Sequence, residues 1–119
     1  MIELKMGEIE SRFADLIWDH APVSSGTLAQ MAEKSLGWKK STTYTILKRF
    51  CQKGIFANNK GMVTILVSRD EFFALQSERV VEHSFGGSLP AFVAAFGTRK
   101  KLTEDEIAQL QTIIDSMRG

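Results

Sequence analysis

The chain has 119 residues, 44% of them hydrophobic, and its 15 basic and 14 acidic side chains give a formal net charge of +1 at pH 7. This composition suits one packed domain, or a small domain with an appended element, and excludes an intrinsically disordered chain. No apolar run approaches the roughly 18 to 20 residues that span a bilayer and the N-terminus lacks the layout of a secretory signal, so we expect a cytoplasmic protein without membrane insertion.

Two helices are predicted in the first third of the chain. The first, over about residues 7–20, follows from four apolar residues at helical spacing: Ile9, Phe13, Leu16 and Ile17. Ser25 is the expected N-cap of the second helix, over about residues 26–35. The apolar face of this second helix would consist of Leu28, Met31 and Ala32.

The segment from Lys34 to Arg69 contains eight basic residues and no acidic one, although the whole chain is almost neutral. A positive field concentrated on one stretch of chain is typical of proteins that bind a polyanion. The alternative is a basic surface that interacts only with solvent.

A third helix is predicted within this segment, over about residues 40–53. Its inner face is formed by four residues at spacings of three and four: Thr43, Ile46, Leu47 and Phe50. The outward positions carry hydroxyls, one amide and two cations but no carboxylate: Ser41, Thr42, Tyr44, Thr45, Lys48, Arg49 and Gln52. A surface helix of this length usually includes Glu or Asp, so this outer face favours binding to a polyanion over mere solvation.

A β-hairpin is predicted after the third helix, which Gly54 is expected to end. Two β-prone runs, residues 55–57 and 62–67, flank a turn composed of Asn58, Asn59, Lys60 and Gly61. Three helices followed by a hairpin is the element order of a winged helix-turn-helix domain, which we assign to residues 1–68. In that fold the third helix enters the major groove and the hairpin lies against the neighbouring backbone.

Residues 69–119 are predicted to form a helical dimerisation domain, so the expected fold class is mainly α with a small β-hairpin. Capping boxes beginning at Ser68 and Thr103 start the first and last of three helices, and Ser88 caps the middle one. Three short helices cannot easily bury their apolar side chains alone, and a second copy of the chain is the economical partner. The alternative is that they fold back on their own domain. The residues assigned to the dimer interface are Phe72, Leu89, Phe92, Val93, Phe96, Ile107, Leu110, Ile114 and Met117.

These motifs, in this order, resemble the penicillinase-repressor family, the bacterial regulators of β-lactamase and methicillin-resistance genes. The resemblance covers nearly the whole chain and depends on residues 16–19, 37–49, 53–55, 68–72 and 85–89. It implies a dimeric repressor with an N-terminal winged helix and a C-terminal dimerisation domain, which binds an inverted-repeat operator in double-stranded DNA.

The resemblance also implies a membrane sensor-peptidase system as a partner, because the best-known members are cleaved between an Asn and a Phe in their C-terminal part. This chain has Ala95 before Phe96 at the matching place. Related copper-transport repressors carry C-terminal paired cysteines that select Cu(I). Residues 111–119 contain no cysteine, and no metal or cofactor is predicted. The wing is shorter and less basic than the family's usual form.

The predicted function is sequence-specific DNA binding by a transcriptional regulator, and the resemblance implies repression. Phosphate contacts, which position a protein on DNA, are assigned to Lys39, Lys40, Lys48, Arg49, Lys53 and Lys60. Contacts with base edges are assigned to Ser41, Thr42 and Thr45. Tyr44 is assigned either to a phosphate or to packing against Trp38.

Two other classes of function compete with DNA binding. A winged-helix adaptor that binds a protein partner is the first, since a fold does not fix a function. An enzyme is not expected, because His20 and His83 are isolated in sequence from any nucleophile or metal-ligand pattern and no glycine-rich phosphate loop is present. The single cysteine, Cys51, is expected to pack rather than to react, and one cysteine fits a reducing cytoplasm.

Overall fold

The computed structural model describes residues 6–118 and confirms a mainly helical fold with one small antiparallel sheet. The elements are α1 (Glu8–His20), β1 (Val23–Ser24), α2 (Ser25–Leu36), α3 (Lys40–Gln52), β2 (Phe56–Asn59), β3 (Met62–Ile65), α4 (Arg69–Ser84), α5 (Leu89–Arg99) and α6 (Glu104–Ser116). Within the described residues, no helix combines the length and apolar character needed to cross a bilayer.

Two compact units make up the chain, one running to Ser77 and the other starting at Glu78. Helix α4 begins in the first unit and ends in the second. The predicted functional division after residue 68 therefore stays a prediction.

The first unit has a core to which α1, α2, α3 and the sheet all contribute. Its largest fully buried apolar side chains include Phe13, Ile17, Leu28, Leu47, Phe50, Ile55, Phe56 and Val63. The rings of Phe13 and Phe50 stack with centroids 5.7 Å apart and so hold α1 against α3. Ile9, one of the four apolar residues at helical spacing that predicted α1, is 49% exposed. The buried face of α1 is centred on Phe13, Ala14 and Ile17, which leaves Ile9 at its edge.

The start of α2 differs from the prediction because a short strand precedes it. Ser24, not Ser25, is the N-cap, and its Oγ accepts a 3.1 Å hydrogen bond from the Thr27 amide. Val23 and Ser24 pair with β3, which gives a three-stranded sheet of order β1-β3-β2. This pairing holds Ser24 in the extended conformation that an N-cap requires.

The hairpin of β2 and β3, called the wing below, turns through two residues. Asn59 pairs with Met62, and between them Lys60 and Gly61 have φ angles of 54° and 89°. Positive φ at both central positions defines the turn type that matches the twist of two antiparallel strands. The Asn58 side chain supports the turn by accepting a 3.0 Å hydrogen bond from the Gly61 amide.

The first turn of α4 is part of the core of the first unit. Ser68 caps it, with its Oγ accepting from the Glu71 amide at 3.1 Å. Phe72 follows and is only 1% exposed, with its ring 5.5 Å from that of Trp18. The assignment of Phe72 to the dimer interface is therefore wrong, because its side chain is already buried within its own unit.

The second unit contains the end of α4 together with α5 and α6. Ser88 caps α5, and Thr103 and Glu106 form a reciprocal capping box at the start of α6. Large apolar side chains on both helices are exposed, including Leu89, Val93, Phe96, Ile107, Leu110, Ile113 and Ile114. The eight remaining residues assigned to the dimer interface belong to this unit.

Candidate nucleic-acid interface

Helix α3 presents the two faces that its sequence predicts. Thr43, Leu47 and Phe50 are buried and Ile46 is partly buried, so the inner face anchors the helix to the core. All seven side chains predicted to point outward are exposed: Ser41, Thr42, Tyr44, Thr45, Lys48, Arg49 and Gln52. The division of the helix into two faces is confirmed, whereas contact of the outer face with DNA stays a prediction.

The N-terminal end of α3 is unusually basic. Lys39 occupies the N-cap position, Lys40 is the first helical residue, and both are exposed. The first turn holds no acidic residue, as in α2 and α5 and unlike α1, α4 and α6. Because the N-terminal end of a helix carries a partial positive charge, two lysines there are unfavourable unless an anion approaches. The arrangement suits an external anion such as a phosphate group.

Hydroxyl groups follow these lysines along the outer face. The Thr45 hydroxyl donates a 2.9 Å hydrogen bond to the Ser41 carbonyl oxygen, so its proton is engaged within the helix. The Thr45 residue as a whole is exposed. Hydroxyl groups of Ser and Thr can accept from or donate to several base edges, and a Thr methyl can contact that of thymine.

The basic segment from Lys34 to Arg69 lacks acids in sequence but not in space. Glu10 of α1 contacts two of its cations, with Oε1 2.9 Å from Arg49 Nη1 and Oε2 3.6 Å from Lys53 Nζ. The Lys53 side chain is only 11% exposed. In the sequence, Arg49 and Lys53 stand among lysines that are exposed. In the fold, both side chains contact Glu10.

Arg69 at the other end of the segment is also engaged within the fold. Its guanidinium lies 3.2 Å from Asp15 Oδ1 and 2.7 Å from Asp19 Oδ1, and it sits over the Trp18 ring. The hydrogen bond to Asp19 and the charges of both carboxylates raise the pKa of Arg69. The remaining exposed cations of the segment are Lys34, Lys39, Lys40, Lys48 and Lys60.

The wing supplies one cation, at its tip. Lys60 is exposed and occupies the first central position of the turn. The turn is tied to the start of α2 by a 2.8 Å hydrogen bond from the Ser25 amide to the Gly61 carbonyl oxygen. The fold therefore fixes the base of the turn that carries the Lys60 side chain.

The packing of Trp38 bears on whether Tyr44 contacts a phosphate or packs against Trp38. Trp38 packs against Phe13, with ring centroids 5.0 Å apart, and so belongs to the core of the unit. Tyr44 is 36% exposed on the outer face of α3. This outward position favours a phosphate contact over packing against Trp38, and the phosphate contact stays a prediction.

The described residues offer little for metal binding or thiol chemistry. Within residues 6–118, no group of three or more His, Cys, Asp or Glu side chains is arranged to hold a metal ion. Cys51 is half-buried, and this burial raises the pKa of its thiol, which lowers its reactivity at neutral pH.

The second unit contains an apolar groove between α5 and α6. The groove has a volume of about 350 Å³. Its apolar lining includes Phe92, Val93, Phe96, Leu102, Leu110 and Ile113. Four of these were assigned to the dimer interface from sequence. Ile113 was not assigned to the interface from sequence. The apolar repeat of α6 passes from Leu110 to Ile114 and so leaves Ile113 out.

Comparisons with known proteins agree with this arrangement. A sequence model of the family described as penicillinase repressor matches residues 6–116. The chain is also similar to the penicillinase repressor of Bacillus licheniformis, with 22% identity over an alignment that covers 97% of this chain and 93% of the relative.

Proposed function

The chain belongs to the penicillinase repressor family, a family of transcriptional repressors rather than enzymes, and on that premise we propose that it is a dimeric repressor that reads DNA with α3. In this proposal two copies bind an inverted-repeat operator, and each inserts one α3 into the major groove. Repression follows from occupancy of a promoter.

The outer face of α3 is the observation that carries the proposal. Its N-terminal end combines Lys39 and Lys40 with the exposed hydroxyl residues Ser41 and Thr42, and it has no acidic residue in the first turn. Recognition helices usually contact base edges with residues near this end. We assign base contacts to Ser41, Thr42 and Thr45, and phosphate contacts to Lys39, Lys40, Tyr44 and Lys48.

The wing adds one phosphate contact. Lys60 lies at its tip, and hairpins of winged-helix domains lie against the backbone beside the groove that the third helix enters. One cation gives the wing a smaller share of the affinity than α3.

The exposed apolar side chains of α5 and α6 support dimerisation. Phe96 is 48% exposed, Leu110 38% and Ile114 56%, although all three are large and apolar. A two-fold dimer would bury these side chains against their own copies. Two copies would double the contacts with DNA, and one small module makes too few for strong specificity.

We do not extend the proposal to regulated cleavage by a membrane sensor-peptidase. Ala95 replaces the Asn that precedes the cleaved bond in the best-known family members, and both Ala95 and Phe96 lie within α5. The Ala95 carbonyl oxygen also accepts a 2.7 Å hydrogen bond from the Thr98 hydroxyl. A peptidase would have to unwind this turn before it could cut.

The affinity for DNA as a function of salt concentration tests the proposal. We expect the logarithm of the association constant to fall steeply with the logarithm of salt concentration, and Lys48→Ala to make that slope shallower by about one unit. Lys101→Ala is the matched control, because it removes the same charge from the second unit. Binding to genomic fragments that is undetectable or insensitive to salt would reject DNA binding and favour an adaptor of protein partners.

A further inference from the structure

Glu10 is placed to control how much positive charge α3 offers to DNA. Its two carboxylate oxygens contact different cations: Oε1 accepts a 2.9 Å hydrogen bond from Arg49 Nη1, and Oε2 lies 3.6 Å from Lys53 Nζ. Arg49 lies in the last turn of α3, next to the exposed Lys48, and Lys53 is the C-cap residue of the same helix. A single carboxylate of α1 therefore holds two neighbouring cations and offsets one of their two positive charges.

The side chain of Glu10 is more buried than that of Arg49. Glu10 lies in the first turn of α1, where the helix dipole favours an anion. Its side chain is 23% exposed, compared with 48% for Arg49 and 11% for Lys53. Arg49 can thus reach solvent when it is released, whereas the carboxylate is held in the fold.

We propose that Glu10 is a positioning residue, which weakens binding to DNA phosphates by retaining Arg49 and Lys53 within the fold. The inference rests on the proposed function. Nonspecific binding comes almost entirely from phosphates neutralised by cations, whereas specific binding also needs base contacts. Each cation that Glu10 retains lowers nonspecific affinity and leaves the base contacts of Ser41 and Thr42 intact. Glu10 therefore sets the strength of the phosphate contacts without changing which bases are read.

Glu10→Gln tests this inference, because glutamine keeps the shape of the side chain and removes its charge. The probe is a short DNA duplex of random sequence, and its affinity is measured by fluorescence anisotropy over a series of KCl concentrations. We expect tighter binding at low salt and a log-log slope steeper by about one unit. The double variant Glu10→Gln/Arg49→Gln should lose that extra steepness. Glu10→Ala is a second variant, since alanine has the highest helix propensity and keeps α1 folded.

Asp15→Asn is the matched control. Asp15 lies on the same helix, its replacement changes the net charge equally, and its partner is Arg69 rather than a residue of α3. If Glu10→Gln steepens the slope no more than Asp15→Asn does, Glu10 is only a structural contact and the inference fails, although the wild-type chain still binds DNA. If the wild-type chain shows no salt-dependent binding to any duplex, the proposed function fails, and this inference fails with it.

Discussion

Trp18 Nε1 donates a 2.9 Å hydrogen bond to the carbonyl oxygen of Val67, which is 49 residues further along the chain. The bond joins α1 to the segment that leaves the wing and enters α4. The Trp18 ring also packs against Phe56 and Phe72, with centroids 5.4 and 5.5 Å away. One side chain thus fastens the first helix, the sheet and the start of α4 to one another.

Trp18→Phe should lower the free energy of unfolding. Phenylalanine keeps an aromatic ring but leaves the Val67 carbonyl oxygen without its donor, which costs about 1 to 3 kcal/mol for a buried polar group. Urea unfolding followed by circular dichroism measures the change. Trp18→Leu, which also loses the ring contacts, should unfold at a still lower urea concentration. Equal stability of Trp18→Phe and the wild-type chain would show that solvent replaces the bond at no cost.

Phe72→Ala should destabilise the fold without acting on dimerisation directly. The ring is 1% exposed, and its removal from a packed core costs about 3 to 5 kcal/mol. Urea unfolding tests the loss of stability, and sedimentation of the protein that remains folded tests the mass. A stable variant that sediments as a monomer would return Phe72 to the dimer interface.

Leu110→Asp should disrupt the dimer and leave the fold of each copy intact. The Leu110 side chain is 38% exposed in a single chain, so aspartate there is readily solvated in a monomer. In a dimer the same carboxylate would be buried beside apolar side chains, which is costly for a charge without a partner. We expect sedimentation velocity to show a shift to half the wild-type mass, with the helical content unchanged. An unchanged mass would place the interface elsewhere.

Thr42→Ala should reduce specificity rather than general affinity for DNA. Thr42 is exposed next to Ser41 on the outer face of α3, where contacts with base edges are proposed. Its loss should weaken binding to a selected operator by about 1 kcal/mol, near the lower end of the range for a good base contact. Binding to a random duplex should barely change, whereas Lys48→Ala should weaken both. Equal effects of Thr42→Ala on the two duplexes would contradict a base contact.

Local signals in the sequence were sufficient for much of the fold. The faces of α3 follow from spacing alone, because a helix repeats its direction every three to four residues. Asn and Gly residues indicated the wing turn, and Thr103 with Glu106 indicated the start of α6. Each of these features depends on residues that are neighbours in the chain.

Features that depend on distant partners could not be predicted in this way. Strand β1 exists because Val23 pairs with Val63, and the two residues of that strand do not by themselves indicate the pairing. Helical spacing likewise shows that Phe72 is on an apolar face but not which surface covers it. Glu10 lies 39 residues before Arg49, so a count of charges within one sequence segment does not show that Arg49 is paired with a carboxylate.

The tip of the wing has a consequence for engineering this protein. Lys60 has a φ of 54°, a conformation that costs a residue other than glycine or asparagine roughly 1 to 2 kcal/mol. The charge proposed to meet the DNA backbone is therefore carried by the same residue that strains the turn. Asparagine at this position would stabilise the hairpin, but it would bind a phosphate group less strongly than lysine does. Thermal stability and the proposed affinity for DNA are consequently opposing design goals at this single position, and a screen for heat resistance alone would favour variants that bind DNA less tightly.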